Sequence, residues 1–314
     1  MKRFKNVLYF ADGEDRQTLA FKRALQLARR NRARLTIADV VADEDLPADL
    51  LRRLGIAGEH PQHTARVEAL APLVTAARDQ GIKVRSLVLG GIAFVEIIRA
   101  VLRNGCDLVM KSARHSAGPT NRLFGTTDLH LLRKCPCPVW IDRAGAGQAP
   151  QHYASILAAV DPSQPNTAAL NRLIMDLATL LAEREGAALH VVHAWRLPFE
   201  SALLTGRARM PPGELAEALG FIQWRREEAL GGLLTDYGLS LESPRVHLLK
   251  GHAAEVIAEC ADKVGAELIV MGTLGRAGVP GVFIGSTAED VIQAAETPVL
   301  AVKPERFVSP VTLG

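Results

Sequence analysis

The stretch that decides the fold is residues 268–287, which read LIVMGTLGRAGVPGVFIGST. An apolar run typical of a buried strand is followed by Gly272, two residues, Gly275, nine residues and a Gly-Ser-Thr run at 285–287. Glycine tolerates positive φ and lets the backbone approach a ligand closely. The amides and hydroxyls that open a helix favour anions. The pattern therefore predicts a strand, a phosphate-binding loop and a helix, with a nucleotide as the first ligand to consider.

The spacing G-x2-G-x9-G-[ST] behind an apolar strand resembles the nucleotide loop of the universal stress protein family. It is not a P-loop, because no Lys follows Gly285, and it is not the G-x-G-x-x-G fingerprint of dinucleotide sites. The alternative interpretation is an ordinary strand-to-helix loop punctuated by glycines.

The chain contains the same pattern twice, which indicates two similar domains. The run NVLYFAD at 6–12 recurs as SILAAVD at 155–161, and each is followed by a long helical pattern. Later strand-like runs recur in the same order, and both halves end in Pro-Val and an apolar run. The Gly-rich segment 143–150 has no apolar pattern and predicts the linker. We therefore expect domains at residues 1–143 and 152–306.

Within each half, short apolar runs alternate with longer amphipathic stretches, which predicts βαβ units and a parallel sheet covered by helices on both faces. The predicted strands lie near 6–11, 34–40, 83–89, 107–110 and 138–141, and near 154–160, 188–194, 244–249, 267–271 and 298–302. The predicted helices lie near 15–31, 62–80, 94–104 and 126–134, and near 164–185, 212–238, 253–263 and 286–295.

The resemblance covers nearly the whole chain and indicates a tandem, two-domain member of the family. It implies an α/β fold of two tandem doubly wound, Rossmann-like domains, similar to the adenine nucleotide alpha hydrolase-like fold. Each domain would be a five-stranded parallel sheet of order 3-2-1-4-5, with ligand at the carboxyl ends of the strands. It also implies that the two domains pair within the chain through their last strands, and a homodimer of such chains stays an open expectation.

The bulk properties are those of a globular protein, since 48% of the residues are hydrophobic. With 314 residues, the chain is longer than one ordinary domain. The first apolar run is too short for a signal peptide, and no stretch is long enough to span a membrane, so we expect a cytoplasmic protein. Residues 1–150 hold 24 Lys and Arg against 15 Asp and Glu, a net +9, whereas residues 151–314 hold 13 against 19, a net −6. The basic cluster at Arg29–Arg34 fits a solvated helix end, so we expect no nucleic-acid or membrane partner.

The cysteines predict no disulfide framework, because they are few and poorly spaced for a chain of this length. They are Cys106, Cys135, Cys137 and Cys260. In an extended chain Cys135 and Cys137 would point to opposite faces, and a metal site would need further ligands. We assign the cysteines no function.

Carried over residue by residue, the resemblance implies that Asp161 lies near adenine and ribose and that the backbone of Ala194 contacts adenine. The remaining nucleotide-binding residues that it implies are Met271, Gly272, Gly275, Gly285, Ser286 and Thr287. Asp161 could also cap the following helix, and the two roles can coexist. His193 is expected to be a polar group at a strand end rather than a base, since no nucleophile motif accompanies it.

The corresponding loop of the first half lacks the glycines. Aligning Gly125 with Gly285 places Ser112 at the position of Gly272 and His115 at that of Gly275. Side chains there would crowd a phosphate chain, although Gly125-Thr126-Thr127 still offers a helix N-terminus. Lys111, Arg114, His115 and Arg122 add positive charge. We therefore expect a first half that is empty, structural or adapted to another anion.

The leading hypothesis is a stress-response regulatory protein that binds ATP or a related adenine nucleotide in its second domain, with Mg²⁺ held by the phosphates and water. We assign no catalytic residues and no metal ligands. Without a Walker lysine or a kinase-like Asp and Asn set, ATP hydrolysis should be slow and incidental. The alternative is a scaffold or ligand-binding stress protein without nucleotide, with leucines of the insertion at 41–62 as candidate contacts. Arg276 and Lys303 are weaker candidates for phosphate contacts, because a loop Arg and a Lys just past a strand are usually solvated.

Overall fold

The computed structural model describes residues 4–41, 61–113, 125–142, 152–197, 210–273 and 286–313, together with Glu200 and Leu203. Most of the insertion at 41–62 and the predicted linker at 143–150 lie outside the described residues. So do Arg114, His115, Arg122, Gly275, Arg276 and Gly285. The described residues form two compact units. The N-terminal unit contains those up to 142 and the tail from 306, and the C-terminal unit contains 152–273 and 286–305.

The N-terminal unit is a parallel sheet with helices between its strands. Its strands are β1 (Asn6–Phe10), β2 (Arg34–Val41), β3 (Lys83–Gly90), β4 (Leu108–Ser112) and β5 (Val139–Asp142). Its described helices are α1 (Leu19–Asn31), α2 (Pro61–Asp79), α3 (Ala93–Asn104) and α4 (Thr126–Lys134). The strand order is β3-β2-β1-β4-β5, and every pairing is parallel.

The C-terminal unit repeats this arrangement. Its strands are β6 (Ser155–Ala159), β7 (Ala188–Trp195), β8 (Val246–Lys250), β9 (Leu268–Gly272) and β10 (Val299–Val302). Its described α-helices are α5 (Ala168–Glu185), α6 (Pro212–Thr235), α7 (Ala253–Lys263) and α8 (Ser286–Ala294). The order β8-β7-β6-β9-β10 is again 3-2-1-4-5, so the predicted α/β fold class is confirmed.

The helix after the first strand of each unit begins later than the hydrophobic period predicts. Helix α1 begins at Leu19 because Thr18 caps it: its hydroxyl accepts a hydrogen bond of 3.1 Å from the amide of Phe21. Helix α5 begins at Ala168, behind a single 3₁₀ turn at Pro165–Thr167. In both units a connection of several residues therefore separates the first strand from its helix.

The cysteines are all buried and none forms a disulfide. The expectation that Cys135 and Cys137 point to opposite faces is wrong, because their sulfur atoms lie 3.6 Å apart. Cys135 caps the C-terminus of α4, the chain bends at Pro136 and Cys137, and strand β5 begins only at Val139, so the two cysteines do not alternate as they would in a strand. Burial raises the pKa of the Cys106 thiol to about 11, which leaves little of the reactive thiolate.

Among the helices of the described residues, none is both long enough and apolar enough to cross a bilayer.

Candidate functional site

The predicted site residues of the second half lie at the carboxyl edge of the C-terminal sheet. Ala159 of β6 pairs with Val192 of β7 on one side and with Met271 of β9 on the other. Asp161 and Ala194 each lie two residues beyond these partners, so both lie at this edge. Strand β9 ends there at Gly272. The structure therefore brings together the ends of the three central strands.

Helix α8 begins at Ser286, the residue at which the sequence pattern predicts a helix N-terminus. The backbones of Ser286 and Thr287 form its first turn. Gly275 and Gly285 lie outside the described residues, so their roles stay predictions. The loop motif thus connects the carboxyl end of a central strand to the N-terminus of the next helix, where backbone amides favour an anion.

Asp161 is positioned by Asn171, a buried residue of α5. The Asn171 side chain accepts a 2.9 Å hydrogen bond from the backbone amide of Asp161 and donates one of 2.8 Å to its carbonyl. The Asp161 carboxylate accepts hydrogen bonds from the amide and the hydroxyl of Ser163, and its side chain is 35% exposed. Because α5 begins at Ala168, Asp161 does not cap it, and that alternative is wrong. The carboxylate is held at the edge of the sheet.

Sequence reasoning missed Asn171. A single asparagine among the apolar positions of a long helix is a weak signal, because such residues usually satisfy local backbone groups. Here its partner is the backbone of Asp161, and the Asn171 amide also donates a 3.1 Å hydrogen bond to the Thr167 hydroxyl. Asn171 is therefore a positioning residue for the Asp161 turn.

His193 lies on β7 beside the same turn and is 1% exposed. Its Nδ1 lies 3.0 Å from the Val160 carbonyl oxygen, which assigns the Nδ1 proton to that hydrogen bond, and 4.0 Å from the Asp161 carboxylate. A buried imidazole engaged with the backbone braces the turn. This arrangement agrees with the expected role as a polar group at a strand end.

Gly272 does not have the positive φ that the sequence pattern suggested. It is the last residue of β9, pairs with Val302 of β10 and is absent from the residues with positive φ. A Cβ atom at this position would lie only 2.7 Å from Cδ2 of Leu170 on α5. Glycine is needed here because the helix packs closely against the strand, whatever ligand the loop binds. Met271, the preceding residue, is buried within the sheet.

Lys303, a weaker candidate for a phosphate contact from the sequence, is buried, although a lysine just past a strand is usually solvated. It follows β10, is 5% exposed, and its Nζ donates a 3.0 Å hydrogen bond to the hydroxyl of Thr273. Thr273 is the first residue after β9, and its amide donates a 3.1 Å hydrogen bond to the Val302 carbonyl. A buried cation therefore anchors the beginning of the predicted phosphate loop. Sequence position alone could not reveal this, since a lysine past a strand is usually exposed.

The N-terminal unit has a different arrangement at the equivalent edge. Lys111 of β4, fully buried, forms ion pairs with the fully buried carboxylate of Asp128 and, at 2.9 Å, with that of Asp12. The expectation that Lys111 adds positive charge for an anion is therefore wrong, because two carboxylates already surround its ammonium. Ser112 also does not crowd a phosphate, since its hydroxyl donates a 3.0 Å hydrogen bond to Thr18 beside α1.

An open cavity of ≈ 410 Å³ remains beside this ion cluster. Its wall includes Asp12, Asp39, Arg66 and Thr127. Asp39 is almost fully buried: it accepts a hydrogen bond from the Arg66 guanidinium and further ones from the amides of Gly13 and, at 2.8 Å, Val40. Each charged group of this wall is thus paired: Asp39 with Arg66, and Asp12 with Lys111 behind the wall.

Comparison with known proteins identifies the family. The model of the universal stress protein family matches residues 3–143 and 152–303. Universal stress protein E of Escherichia coli (strain K12) is 31% identical over 224 residues, which cover 70% of this chain and 68% of that protein. The Universal stress protein E homolog of Haemophilus influenzae is 26% identical over 314 residues, covering 97% and 99% of the two chains.

A solved universal stress protein structure from Pseudomonas aeruginosa UCBPP-PA14 has a TM-score of 0.73 and 27% identity, and the match covers 96% of this chain and 94% of that one. A structure from Archaeoglobus fulgidus DSM 4304, with a TM-score of 0.63 and 17% identity, shares the fold. Together with the repeated five-stranded units, these matches show that the chain belongs to the universal stress protein family, as a tandem protein of the Universal stress protein E type.

Proposed function

We propose that the C-terminal unit binds ATP or a related adenine nucleotide, and that the protein acts in the stress response as a regulatory nucleotide-binding protein rather than as an enzyme. The observation that carries the proposal is the position of the glycine motif. Strand β9 ends at Gly272 and α8 begins at Ser286, so the motif joins the carboxyl end of a central strand to a helix N-terminus. Phosphate groups bind well in that setting.

Two charged side chains support this placement. The Asp161 carboxylate is one-third exposed and held by Asn171, and a carboxylate can accept hydrogen bonds from ribose hydroxyls in addition to those from Ser163. The buried Lys303 ammonium stands at the other end of the edge, beside Thr273, where it offsets negative charge on a phosphate chain. An acceptor for the sugar and a cation near the loop fit opposite ends of a nucleotide.

Mg²⁺ would bind through the nucleotide. Among the described residues, no group of three or more His, Cys, Asp or Glu side chains is arranged to hold a metal ion. Phosphate oxygens and water are ordinary Mg²⁺ ligands, so the fold would not need to supply a carboxylate cage.

Hydrolysis, in this proposal, is slow and incidental. His193, the histidine beside Asp161, is 1% exposed and faces the Val160 carbonyl, so it is not available to activate a water molecule. Two universal stress protein structures contain cAMP and dAMP, at TM-scores of 0.27 and 0.29 to this chain. At that level of likeness they carry no argument here, and the proposal rests on the residues of the C-terminal unit.

The test is to denature the purified protein and identify any released nucleotide by mass spectrometry, before and after incubation with ATP and Mg²⁺ and washing. We expect about one nucleotide per chain, as for a single site. Gly275→Val should abolish retention without unfolding the protein, because its side chain fills the space of the phosphate chain. His115→Val, at the equivalent position of the first half, is the matched control and should retain the nucleotide. If Gly275→Val binds the nucleotide with wild-type affinity, the loop is not part of the site.

A second candidate function is a scaffold that binds a protein partner. Phe221 and Trp224 of α6 are 58% and 55% exposed, and their ring centroids lie 6.0 Å apart. Neighbouring exposed aromatic side chains are typical of contact surfaces. This function gains support if the protein retains no nucleotide under either condition and a partner that copurifies is lost in Phe221→Ser/Trp224→Ser.

A further inference from the structure

The most unusual charged group outside the proposed nucleotide site is the ion cluster of the N-terminal unit. Lys111 and Asp128 are both fully buried and paired with each other. Ionised side chains are rarely buried completely, because leaving water costs several kcal/mol per ion in proteins. Such a pair is retained only where each charge has close partners.

The equivalent positions of the C-terminal unit carry no charge. Lys111 is the residue before the end of β4, and Met271 is the residue before the end of β9. Asp128 is the third residue of α4, and Ala288 is the third residue of α8. The N-terminal unit therefore has a buried ion pair where α4 begins, and the C-terminal unit has uncharged residues at the two equivalent positions beside α8.

Asp128 places its carboxylate at the N-terminus of α4. One of its oxygens accepts a 3.1 Å hydrogen bond from the backbone amide of Gly125, the residue that precedes the helix. The other is paired with Lys111. A negative charge there interacts favourably with the helix dipole and with the amides of the first turn. The helix N-terminus is thus already occupied by an anion that belongs to the chain.

We propose that Lys111 and Asp128 confine nucleotide binding to the C-terminal unit, because the Asp128 carboxylate occupies the position at the N-terminus of α4 that a phosphate group would need. This inference rests on the proposed function of the C-terminal unit. An open cavity of ≈ 410 Å³ lies beside the ion cluster, so a phosphate could approach, but the helix N-terminus that would bind it is already held by Asp128.

Electrostatics gives the reason for the exclusion. A phosphate entering the cavity would meet the carboxylates of Asp12 and Asp39 in its wall and that of Asp128 behind it. Among the described residues around this cavity, the cations Lys111 and Arg66 are already paired with these carboxylates. Like charges at contact distance in a partly buried site repel strongly. In the C-terminal unit the third position of the helix is Ala288, and the acidic residue of the first turn is Glu289, one position further along.

The experiment asks whether an external anion can replace the Asp128 carboxylate. All variants carry Gly275→Val, so that anions bound by the C-terminal loop do not contribute. Thermal unfolding is measured in inorganic phosphate and in chloride at equal ionic strength. Asp128→Ala should unfold at a lower temperature than its parent in chloride, because Lys111 loses a partner, and phosphate should raise its midpoint. The parent protein should show no such increase.

Asp128→Asn is the matched control. Its amide fills the same space and can accept the hydrogen bond from Gly125, but carries no charge, so its midpoint should not respond to phosphate. Lys111→Met/Asp128→Ala, which introduces the residues of the C-terminal unit, should fold in chloride as well as in phosphate. The double variant shows whether the defect of Asp128→Ala comes from the unpaired lysine.

The inference is overturned if phosphate raises the unfolding midpoint of Asp128→Ala no more than it raises the midpoint of Asp128→Asn. If Asp128→Ala does not fold in chloride, the refolded fraction in phosphate and in chloride gives the same comparison, and equal failure in both contradicts it. Two nucleotides per wild-type chain would contradict it as well. The proposed function fails separately, if the wild-type protein retains no nucleotide, whatever the response of Asp128→Ala.

Discussion

Substituting Gly272 by alanine tests why a glycine ends strand β9. The added Cβ atom would lie 2.7 Å from Cδ2 and 3.2 Å from Cγ of Leu170, and 3.5 Å from Cδ1 of Ile174. The first two distances are too short for carbon atoms, so Leu170, which is 6% exposed and packed on the sheet, must move. The substitution thus adds a methyl group to a tightly packed contact between strand and helix.

The expected cost follows from measured effects of overpacking. Forcing an extra methyl into a well-packed core costs about 1–3 kcal/mol. With a change of about 2–4 °C per kcal/mol for a domain of this size, the unfolding midpoint of the C-terminal unit should fall by about 2–12 °C. The Cβ atom points toward α5, so Gly272→Ala should retain nucleotide affinity below its unfolding temperature, in contrast to Gly275→Val.

The assay is thermal and urea unfolding followed by circular dichroism, combined with a double-mutant cycle. Leu170→Ala alone should cost about 2–5 kcal/mol as a buried Leu→Ala change. The double variant should cost less than the sum, because the new methyl enters the vacated space. Gly232→Ala in α6, whose Cβ would meet no atom within 4 Å, is the control and should be neutral or stabilising by up to about 1 kcal/mol. Additive costs, or a Gly272→Ala protein as stable as the wild type, would refute the packing argument.

Three further predictions concern other described residues. Asn171→Ala should lower the free energy of unfolding by about 1–3 kcal/mol and weaken nucleotide binding. The part-buried amide of Asp161 loses the Asn171 acceptor, whereas its carbonyl loses one donor and keeps the hydrogen bond from the Thr167 hydroxyl. Urea unfolding and calorimetric titration would measure this, and unchanged values would disprove the positioning role. His190 and His247 lie 3.1 Å apart between ring nitrogens, and burial first, then nearby positive charge, lowers the pKa of both imidazoles below 6.5. Their contribution to stability is present above pH 6.5 and lost as the pH falls through the lowered pKa values, so the urea midpoint should decline with acidification, and less so in His190→Phe/His247→Phe. The buried thiols, with the pKa of Cys106 at about 11, should react with a thiol reagent much more slowly in the native protein than in denaturant, whereas rapid native labelling would contradict their burial.

Much of the fold was predictable because its signals are local. The repeated apolar runs closed by Asp12 and Asp161 and the alternation of strand and helix periods placed each described strand and helix close to its observed bounds. The beginning of helix α8 at Ser286 was predicted in the same way. Errors fell where a short connection replaced the first turn. The side-chain cap of Thr18 sets the beginning of α1, and a 3₁₀ turn that ends at Thr167 precedes α5, and hydrophobic periods predict neither.

The candidate site was only partly predictable. Its location at the carboxyl edge followed from the parallel order, since all strand ends of such a sheet meet at one edge. The partners of its side chains did not follow, because no local pattern pairs Asp161 with a residue ten positions on, or Thr273 with one thirty positions on. Asn171 holds Asp161 across a turn, and Lys303 reaches Thr273 from the neighbouring strand.

By itself, the sequence determined that two similar α/β units follow one another and that only the second carries the glycine pattern G-x2-G-x9-G-[ST]. These features depend on residue type, spacing and repetition, which can be read along the chain. Only the tertiary structure decided what the charges do. Lys111 looked like a cation available to an anion, but folding buries it between Asp12 and Asp128, and Lys303 looked solvated, but folding buries it beside Thr273. The physical reason is that burial and ion pairing depend on which distant side chains share a low-dielectric space, and that is set by packing rather than by local sequence.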